Sequence, residues 1–374
     1  MPLILLRILI SLSRPLLSAI CAATLLSAIS YPVHAATHVK KKKTPIVTEQ
    51  KKQDAAHFNE RQDVQDFIAQ MSVKHGFDSS KLSLLFEQVR YTESARQLIK
   101  PAPPGRPKNW KAYRARFVEP YRIDAGLAFW DKYATTLARA EQTYGVPAEI
   151  IVGLIGVETI FGKNTGNYRV MDALTTLAFD YPETPTRVAR MDFFKTELEN
   201  MLLMARESKV DPFAFKGSYA GAIGWPQFMP SSIRQYAVDF DGDGVINLTD
   251  SAIDAIGSVA NYLAVHGWKK NLPIAFPATL VATNDQLATL NTALGQGLHA
   301  TYSLQDISAL ASTANSEAPN NILYGLADLQ NGNDPTEYWL VTDNFFAITY
   351  YNRSYFYAMS VVDLGRTISA ARGK

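Results

Sequence analysis

The sequence predicts a mainly α-helical protein of the α+β class, with a helical core, a flanking helical domain and a small β-rich domain. Apolar residues recur at helical spacing through residues 63–99, and further helices are predicted at 124–144 and 354–371. Alternating pieces at 277–283 and 338–341 are typical of strands instead, and a short helix is predicted among them at 303–311. With 374 residues, 47% of them hydrophobic and 19% charged, the chain can bury a sizeable core and is not disordered throughout.

The charge balance and the cysteine count exclude several classes of protein. Lys and Arg total 37, Asp and Glu total 35, and the formal net charge is +2. A nucleic-acid-binding protein usually carries a strongly basic surface, so we expect no nucleic-acid partner. Cys21 is the only cysteine, which excludes both a disulfide framework and a multi-cysteine zinc site.

The N-terminus predicts a secretory signal peptide. Arg7 and Arg14 precede an apolar stretch at 16–29, and Val33 and Ala35 supply the small residues of a cleavage site. An uncleaved membrane anchor is the alternative, because this apolar stretch is long. Removal of the signal would also remove the cysteine, and we expect the exported, cysteine-free protein in the periplasm of a Gram-negative bacterium.

Changes in composition divide the chain into six segments. The segment 36–60 is polar and contains a run of lysines at 40–43, which is typical of a tether. The segment 136–268 holds the most distinctive motifs, and we expect the segment 341–374 to return to it. In chain order they are a signal peptide (1–35), a basic polar linker (36–60), a helical domain (61–135), a core with an acidic loop (136–268), a small β-rich domain (269–340) and a C-terminal segment (341–374).

Glu158 is a lone acid near the end of an apolar helix. The stretch 147–162 begins with a proline and ends with a glycine, as helices commonly do, and is too short to span a membrane. Glu158 shares one helix face with Ile151, Leu154 and Ile155. Desolvation on that face raises the pKa of a carboxyl group, and a general acid for glycosidic cleavage must be protonated near neutral pH. The alternative is a structural Glu that hydrogen-bonds a neighbouring loop.

An acidic loop at 239–250 fits the calcium-binding loop of an EF-hand. Carboxylates stand at positions 1, 3 and 5 of that pattern, a glycine at 6, a backbone carbonyl at 7 and an amide at 9. Oxygen ligands favour a hard cation, and one such loop in an exported protein indicates a single structural Ca²⁺ site. Position 12 is an Asp, which is shorter than the usual Glu, and a solvated acidic turn is the alternative interpretation. The predicted ligands are Asp239, Asp241, Asp243, the carbonyl of Val245, Asn247 and Asp250.

A second loop, at 217–227, is rich in glycine and other small residues. It lacks the Gly-Lys-Ser/Thr ending of a phosphate-binding loop, so it does not predict a nucleotide site. Small residues allow a backbone to approach a sugar ring closely, and the alternative interpretation is a tight structural turn.

The motifs around Glu158 resemble a known family. Val157-Glu158-Thr159, followed by Phe161-Gly162, is similar to the catalytic helix of the B-type lytic murein transglycosylases. The resemblance covers residues 60–370, and this many blocks in one order form a specific signal. Further blocks are Asp172-Ala173-Leu174, Tyr181-Pro182, Lys216-Gly217-Ser218, Ala220-Gly221-Ala222, Gln227-Phe228-Met229-Pro230, Tyr236-Ala237-Val238-Asp239, Asp254-Ala255-Ile256-Gly257, Asn261-Tyr262, Tyr351-Asn352 and Tyr357-Ala358-Met359.

The resemblance implies a lysozyme-like catalytic core at 136–268 and a carbon–oxygen lyase that cleaves the MurNAc-β-1,4-GlcNAc bond of peptidoglycan without water. The product would carry a 1,6-anhydro-MurNAc end. In this chemistry the C6 hydroxyl of the sugar replaces the second carboxylate of ordinary glycosidases. Glu158 would first protonate the glycosidic oxygen and would then act as base on the C6 hydroxyl.

The resemblance also implies roles for residues outside the catalytic helix. Ser218 and Gln227 would hydrogen-bond the substrate beside Glu158, and Asp254 would close a longer acidic loop in place of Asp250. The residues implied to line the glycan cleft are Tyr113, Tyr262, Tyr351, Asn352 and Tyr357.

The implied partners are peptidoglycan glycan strands and complexes of cell-wall synthesis or hydrolysis. We expect a monomer that uses structural Ca²⁺ and no organic cofactor. Trp225-Pro226 departs from relatives that carry Tyr-Gly at this place. The path of that loop is therefore not implied by the resemblance.

Two other functions stay open from the sequence. A hydrolytic muramidase would need a second carboxylate across the cleft, for which Asp172 and Asp180 are candidates. A catalytically inactive, calcium-stabilised peptidoglycan-binding protein would have no need for a desolvated acid. The intact motif around Glu158 therefore argues against that second alternative.

We predict that the signal peptide is cleaved after Ala35, because Val33 and Ala35 form the small-residue pattern. N-terminal sequencing of the exported protein should therefore begin at Ala36. A mature protein that still contains residues 16–29 would show a membrane anchor instead.

Overall fold

The computed structural model describes residues 58–101, 105, 107–295, 297–313 and 318–373. The predicted signal peptide and the predicted linker up to residue 57 lie outside the described residues, so both stay predictions. Across the described part of the chain, no helix is both long enough and apolar enough to cross a lipid bilayer.

Helices dominate the regular structure and the strands form two small antiparallel sheets, which confirms the predicted mainly helical α+β class. The helices are α1 (Gln62–His75), α2 (Ser79–Glu87), α3 (Glu93–Leu98), α4 (Trp110–Arg114), α5 (Pro120–Lys132), α6 (Ala134–Tyr144), α7 (Ala148–Thr159), α8 (Val170–Phe179), α9 (Arg187–Ser208), α10 (Pro230–Tyr236), α11 (Ala252–Val265), α12 (Leu287–Leu294), α13 (Leu304–Ser308), α14 (Asp343–Tyr351) and α15 (Tyr355–Arg372). The strands are β1 (Tyr168–Arg169), β2 (Lys216–Gly217), β3 (Ala275–Leu280), β4 (Tyr302–Ser303), β5 (Ala311–Ser312), β6 (Leu323–Asn331) and β7 (Asp334–Val341).

The helices α1 to α3 pack against α8 and α9 around a first hydrophobic cluster. Phe67 of α1 makes edge-to-face contacts with Phe86 and Phe179, at ring-centroid distances of 6.0 and 5.8 Å. Such aromatic contacts are favourable beyond the apolar area that they bury. Residues from the predicted helical domain and from the predicted core therefore share one cluster.

The main hydrophobic cluster is built on α7 and α15. Every residue of α7 is buried except Glu149 and Glu158. A Cβ atom added to Gly153 would overlap the carbonyl oxygen of Val361, and one added to Gly365 would overlap the carbonyl oxygen of Glu149. The two backbones are therefore in contact, and the C-terminal helix lies directly on the helix that carries Glu158.

The β-rich domain is a five-stranded antiparallel sheet with the strand order β4-β6-β7-β3-β5. Phe276, Tyr324 and Leu340 on one face pack with α12 and α13 in a third cluster. On the other face, Ala327 and Leu329 of β6 belong to the main cluster. The sheet is therefore held between its own short helices and the core.

Two predicted helices differ from the structure. The stretch 124–144 is divided between α5 and α6, because Tyr133 leaves the helical region with a φ of −113° and its ring packs 5.0 Å from that of Phe129. The stretch 303–311 is helical only over Leu304–Ser308, since β5 follows at once and pairs with β3. A tertiary contact overrides the local pattern in both places.

Candidate active site

Glu158 lies in the last turn of α7, where the chain reverses sharply. Ile160 and Phe161, which follow it, have positive φ values of 53° and 56°. Residues other than glycine rarely adopt this region, and a β-branched residue pays a steric cost there. The amide of Asn164 donates to the carbonyl oxygen of Thr159 at 2.9 Å and closes the turn. The end of the helix is therefore held in a conformation that a free chain would avoid.

The Glu158 carboxyl group combines an apolar setting with one hydrogen bond. The side chain is half-buried, and Ile151, Leu154 and Ile155 on the predicted face are completely buried. Burial raises the pKa of Glu158 to about 7, and a hydrogen bond donated by Tyr357 to Oε1 opposes part of this rise. Burial also raises the pKa of Tyr357 well above its usual value, so its hydroxyl stays protonated and remains a donor.

Three of the tyrosines predicted to line the cleft form a packed wall behind Glu158. The ring of Tyr351 stacks on that of Tyr357 at 6.3 Å and meets the ring of Tyr262 edge-on at 4.8 Å. The Tyr351 hydroxyl donates to the carbonyl oxygen of Pro226, and the Tyr262 hydroxyl donates to that of Tyr350. All three are buried. In the structure the three tyrosines therefore support the Glu158 side chain, and their contact with glycan stays a prediction.

Tyr113 and Asn352 occupy more open places. Tyr113 of α4 is half-buried, and burial raises its pKa; the charge of Arg116 opposes this rise, and the nearby negative charge of Glu158 adds to it. Asn352 follows α14, and its Oδ1 atom is buried with no hydrogen-bond partner among the described residues. Buried polar atoms are nearly always paired, so this oxygen lacks the partner that such atoms usually have, and the contact of Asn352 with glycan stays a prediction.

The loop that contains Ser218 and Gln227 is a compact turn. The amide of Ser218 donates to the Ala222 carbonyl at 2.8 Å, and the Ser218 hydroxyl oxygen accepts from the Ala222 amide at 3.1 Å. Gln227 has a φ of 50°, and its side-chain amide donates to the carbonyls of Thr165 and Gly224 at 3.1 and 2.9 Å. Both side chains are half-buried, and their contact with substrate stays a prediction.

Asp172 and Asp180, the candidates for a second catalytic carboxylate, are engaged elsewhere. Asp172 forms an ion pair with Arg169 at 2.7 Å. Asp180 accepts a hydrogen bond from Tyr91 at 2.6 Å and pairs with Arg96 at 3.3 Å. Both lie at α8, beside the first hydrophobic cluster, and neither contributes to the pKa shift of Glu158. Their partners give them structural roles.

The acidic loop brings three carboxylates together. Single carboxylate oxygens of Asp239, Asp241 and Asp254 lie within 4.8 Å of one another. Oxygens that bind the same Ca²⁺ at 2.3–2.6 Å can be no more than about 5 Å apart. The spacing and the all-oxygen chemistry of this group therefore fit a calcium ion.

Asp254, and not Asp250, is the later acid in that group. Asp254 lies buried in the first turn of α11 and accepts from the amides of Phe240 and Asn247, both at 2.8 Å. The group does not include the carboxylates of Asp243 and Asp250, and the Val245 carbonyl and the Asn247 side chain stay predicted ligands. The Asp243 carboxylate accepts from the Val245 amide, and the Asn247 side chain accepts from the Asp250 amide.

The sequence predicts no function for Thr159 or Trp225, but the structure joins these two residues beside Glu158. The Thr159 hydroxyl donates to the carbonyl oxygen of Trp225 at 2.9 Å and accepts from the Gly162 amide at 3.0 Å. This joins the end of α7 to the small-residue loop. The available signal was the position of Thr159, directly after the acid in the matched motif.

We predict that Glu158→Gln stabilises the protein increasingly as the pH rises. Burial raises the pKa of Glu158 from 4.5 to about 7, so between these values the folded state keeps a proton that the unfolded state releases. The wild type therefore loses stability across this window, whereas Gln does not titrate. Urea unfolding at pH 4 and pH 8 should show a relative gain for Glu158→Gln of at most about 3 kcal/mol at the higher pH.

Glu207→Gln is the contrasting control. A hydrogen bond and the charge of Arg234 lower the pKa of Glu207, so the wild type gains stability over this variant as the pH rises. An effect of Glu158→Gln that is equal at both pH values would contradict the desolvation of Glu158.

Comparison with known proteins places this geometry in a family. Residues 59–366 match the family described as Transglycosylase SLT domain. The chain is 42% identical over 323 residues to the membrane-bound lytic murein transglycosylase B of Escherichia coli (strain K12). The matched residues make up 84% of this chain and 85% of that protein. The soluble lytic transglycosylase SltB1 of Pseudomonas aeruginosa is 45% identical with a TM-score of 0.73, over 83% of this chain and 100% of that chain. Escherichia coli lytic transglycosylase Slt35, solved in complex with calcium, is 41% identical with a TM-score of 0.73, over 86% of this chain and 96% of that chain. The chain therefore belongs to the transglycosylase SLT domain family, as its resemblance to the B-type lytic murein transglycosylases predicted.

Proposed function

We propose that the chain is a peptidoglycan lytic transglycosylase that cleaves the MurNAc-β-1,4-GlcNAc bond and leaves a 1,6-anhydro-MurNAc end. The observation that carries this proposal is the Glu158 carboxyl group, whose pKa of about 7 suits both proton donation and proton acceptance near neutral pH. The family and the lytic transglycosylases similar to this chain support the same chemistry.

The first step uses Glu158 as an acid. Its proton moves to the glycosidic oxygen while the bond from that oxygen to C1 of MurNAc breaks, and the GlcNAc portion leaves as an alcohol. The carboxylate that remains accepts a hydrogen bond from Tyr357, which stabilises its negative charge. This charge in turn stabilises the positive charge that develops at C1.

The second step uses the same carboxylate as a base. It removes the proton from the C6 hydroxyl as that oxygen bonds to C1, and the 1,6-anhydro ring closes. Glu158 is then protonated again, so the cycle consumes no water and no net proton. One acid is sufficient because both proton transfers take place on the same side of the sugar, which agrees with the structural engagement of Asp172 and Asp180.

The substrate contacts extend from Glu158 to both sides of the cleft. The unpaired Asn352 Oδ1 accepts from an N-acetyl or hydroxyl group, and Tyr113 offers a ring surface beside Glu158. Ser218 and Gln227 hydrogen-bond the sugar from the small-residue loop. These assignments rest on the resemblance and, for Asn352, on an oxygen that has no partner among the described residues.

The cellular setting follows from the N-terminal sequence and the substrate. Residues 1–35 direct export to the periplasm, where peptidoglycan is found, and the glycan strands are the main partner. We also propose that the protein is a monomer and that it takes part in complexes of cell-wall synthesis or hydrolysis.

One structural Ca²⁺ binds the acidic loop. Asp239, Asp241 and Asp254 would hold it, and when bound it would supply positive charge that offsets three neighbouring carboxylates. The calcium complex of the related Slt35 supports this assignment.

We predict that Glu158→Gln lowers turnover of purified sacculi by about 10⁴-fold or more. General acid–base catalysis typically contributes about 10²–10⁴-fold, and here one residue serves both steps. Wild-type digests should contain 1,6-anhydro-muropeptides by mass spectrometry. Reducing ends in their place would replace the proposal with a muramidase.

Glu149→Gln is the matched control for this measurement. Glu149 lies in the first turn of the same helix, so the substitution removes the same charge at the other end of α7. Its turnover should remain near that of the wild type. If Glu158→Gln also keeps most of its turnover, the acid has been misassigned.

We predict that calcium raises the melting temperature and that Asp239→Asn removes this shift. A ligand that binds only the folded state stabilises it by about 2.7 kcal/mol at 100 times its Kd, which corresponds to several degrees. Asp250→Asn is the matched control, because Asp250 is not one of the three acids whose carboxylates lie together. This variant should keep most of the shift. An equal loss in both variants would place the closing ligand at Asp250 or would indicate no defined site.

A further inference from the structure

We propose that Trp225 is a positioning residue that couples the acidic loop to the catalytic helix. Cation binding in the loop would then fix the small-residue loop beside Glu158. The inference rests on the proposed function for the identity of the cleft ligand and on the fit of the acidic loop to a calcium ion.

Trp225 is attached to the acidic loop at two points. Its amide donates to the Leu248 carbonyl at 2.8 Å, and its indole Nε1 donates to the Thr249 carbonyl at 2.9 Å. Both carbonyls belong to the segment between Asn247 and Asp250. A Cβ atom on Gly224 would overlap the Leu248 carbonyl oxygen, so the two backbones are also in direct contact.

Trp225 is attached to the catalytic helix on its other side. Its carbonyl oxygen accepts from the Thr159 hydroxyl at 2.9 Å, and Thr159 is the residue next to Glu158. The indole ring fills the space where a Cβ atom on Gly162 would lie, and its centroid is 5.9 Å from that of Phe129. The indole therefore supports the reversed turn that ends α7.

The residues after Trp225 connect the small-residue loop to Glu158 through two tyrosines. The carbonyl oxygen of Pro226 accepts from the Tyr351 hydroxyl, and Tyr351 stacks on Tyr357, which donates to Glu158. Gln227 follows at once with its positive φ. A displacement of Trp225 would therefore reach Glu158 by two routes, through Thr159 and through the tyrosine wall.

The acidic loop supplies the reason for such a displacement. The carboxylates of Asp239, Asp241 and Asp254 repel one another when no cation separates them. A cation would draw them together and would order the segment that carries Leu248 and Thr249. Because such coupling is reciprocal, a ligand held in the cleft would in turn tighten cation binding.

The reciprocal effect gives the first test. In the Glu158→Gln background, which does not cleave, the Kd for Ca²⁺ is measured by calorimetry with and without a GlcNAc–MurNAc tetrasaccharide. The tetrasaccharide should tighten Ca²⁺ binding about fivefold or more, within the usual range for coupled sites. Adding Trp225→Phe should reduce the factor to below about twofold while Ca²⁺ still binds.

Trp268→Phe is the matched control. Trp268 is buried whereas Trp225 is half-buried, and the Trp268 Nε1 likewise donates to a backbone carbonyl, that of Gly145, at 2.9 Å. This variant loses the same kind of bond, but the bond goes to Gly145 and not to the acidic loop, so it should keep the full coupling. Full coupling in Trp225→Phe, or none in the parent, would overturn the proposal.

Amide hydrogen exchange with and without Ca²⁺ gives a second test that needs no glycan. Ca²⁺ should slow exchange at 239–254, 217–228 and 159–164 in the parent. Trp225→Phe keeps the backbone bonds to Leu248 and Thr159 and loses the indole bond to Thr249, so the slowing at 217–228 and 159–164 should be weaker than in the parent. In Thr159→Val it should be weaker at 159–164 alone. If the tetrasaccharide fails to bind, the proposed function fails, and this exchange pattern still decides the coupling. Thr159→Val also keeps the proposal testable if Trp225→Phe does not fold. Exchange at 217–228 that is unaffected by Ca²⁺ in the parent would overturn it.

Discussion

The desolvation of one carboxyl group is the constraint on which the rest of the structure depends. Gly153 and Gly365 let the backbones of α7 and α15 touch, and together with α5, α6 and α11 this contact buries nearly the whole of α7. Glu158 is near the end of the helix and stays half-buried. Since α15 also carries Tyr357, the packing that desolvates the acid delivers its hydrogen-bond donor as well.

The two influences on Glu158 oppose each other, and their balance suits a residue that must both give and take a proton. Burial alone would favour the neutral acid and would make the carboxylate a costly intermediate. The Tyr357 hydroxyl stabilises the charged form without carrying a charge itself, so it limits the rise in pKa. A cationic partner would lower the pKa much further and would leave no proton to donate near neutral pH.

The sequence predicts well what depends on neighbouring residues and poorly what depends on distant ones. The periodicity of α7 identifies the face of Glu158, because every residue of that face lies within one helix. The bond between Tyr357 and Glu158 joins residues 199 positions apart, and no local pattern encodes it. The family resemblance supplied Tyr357 as a candidate, but it assigned the residue to the glycan and not to the acid. The grouping of Asp254 with Asp239 likewise depends on where α11 begins.

The turn after Glu158 explains why the site needs a loop from elsewhere in the chain. Ile160 and Phe161 have left-handed backbone conformations that are unfavourable for their residue types, so they persist only because surrounding contacts determine them. The Phe161 ring fits over Gly156, where a Cβ atom would overlap it, and Thr159 is bonded to the Trp225 carbonyl. A helix that simply continued would carry the chain straight on past the acid. The strained reversal turns it back towards the small-residue loop, and the contact with Trp225 offsets part of its cost.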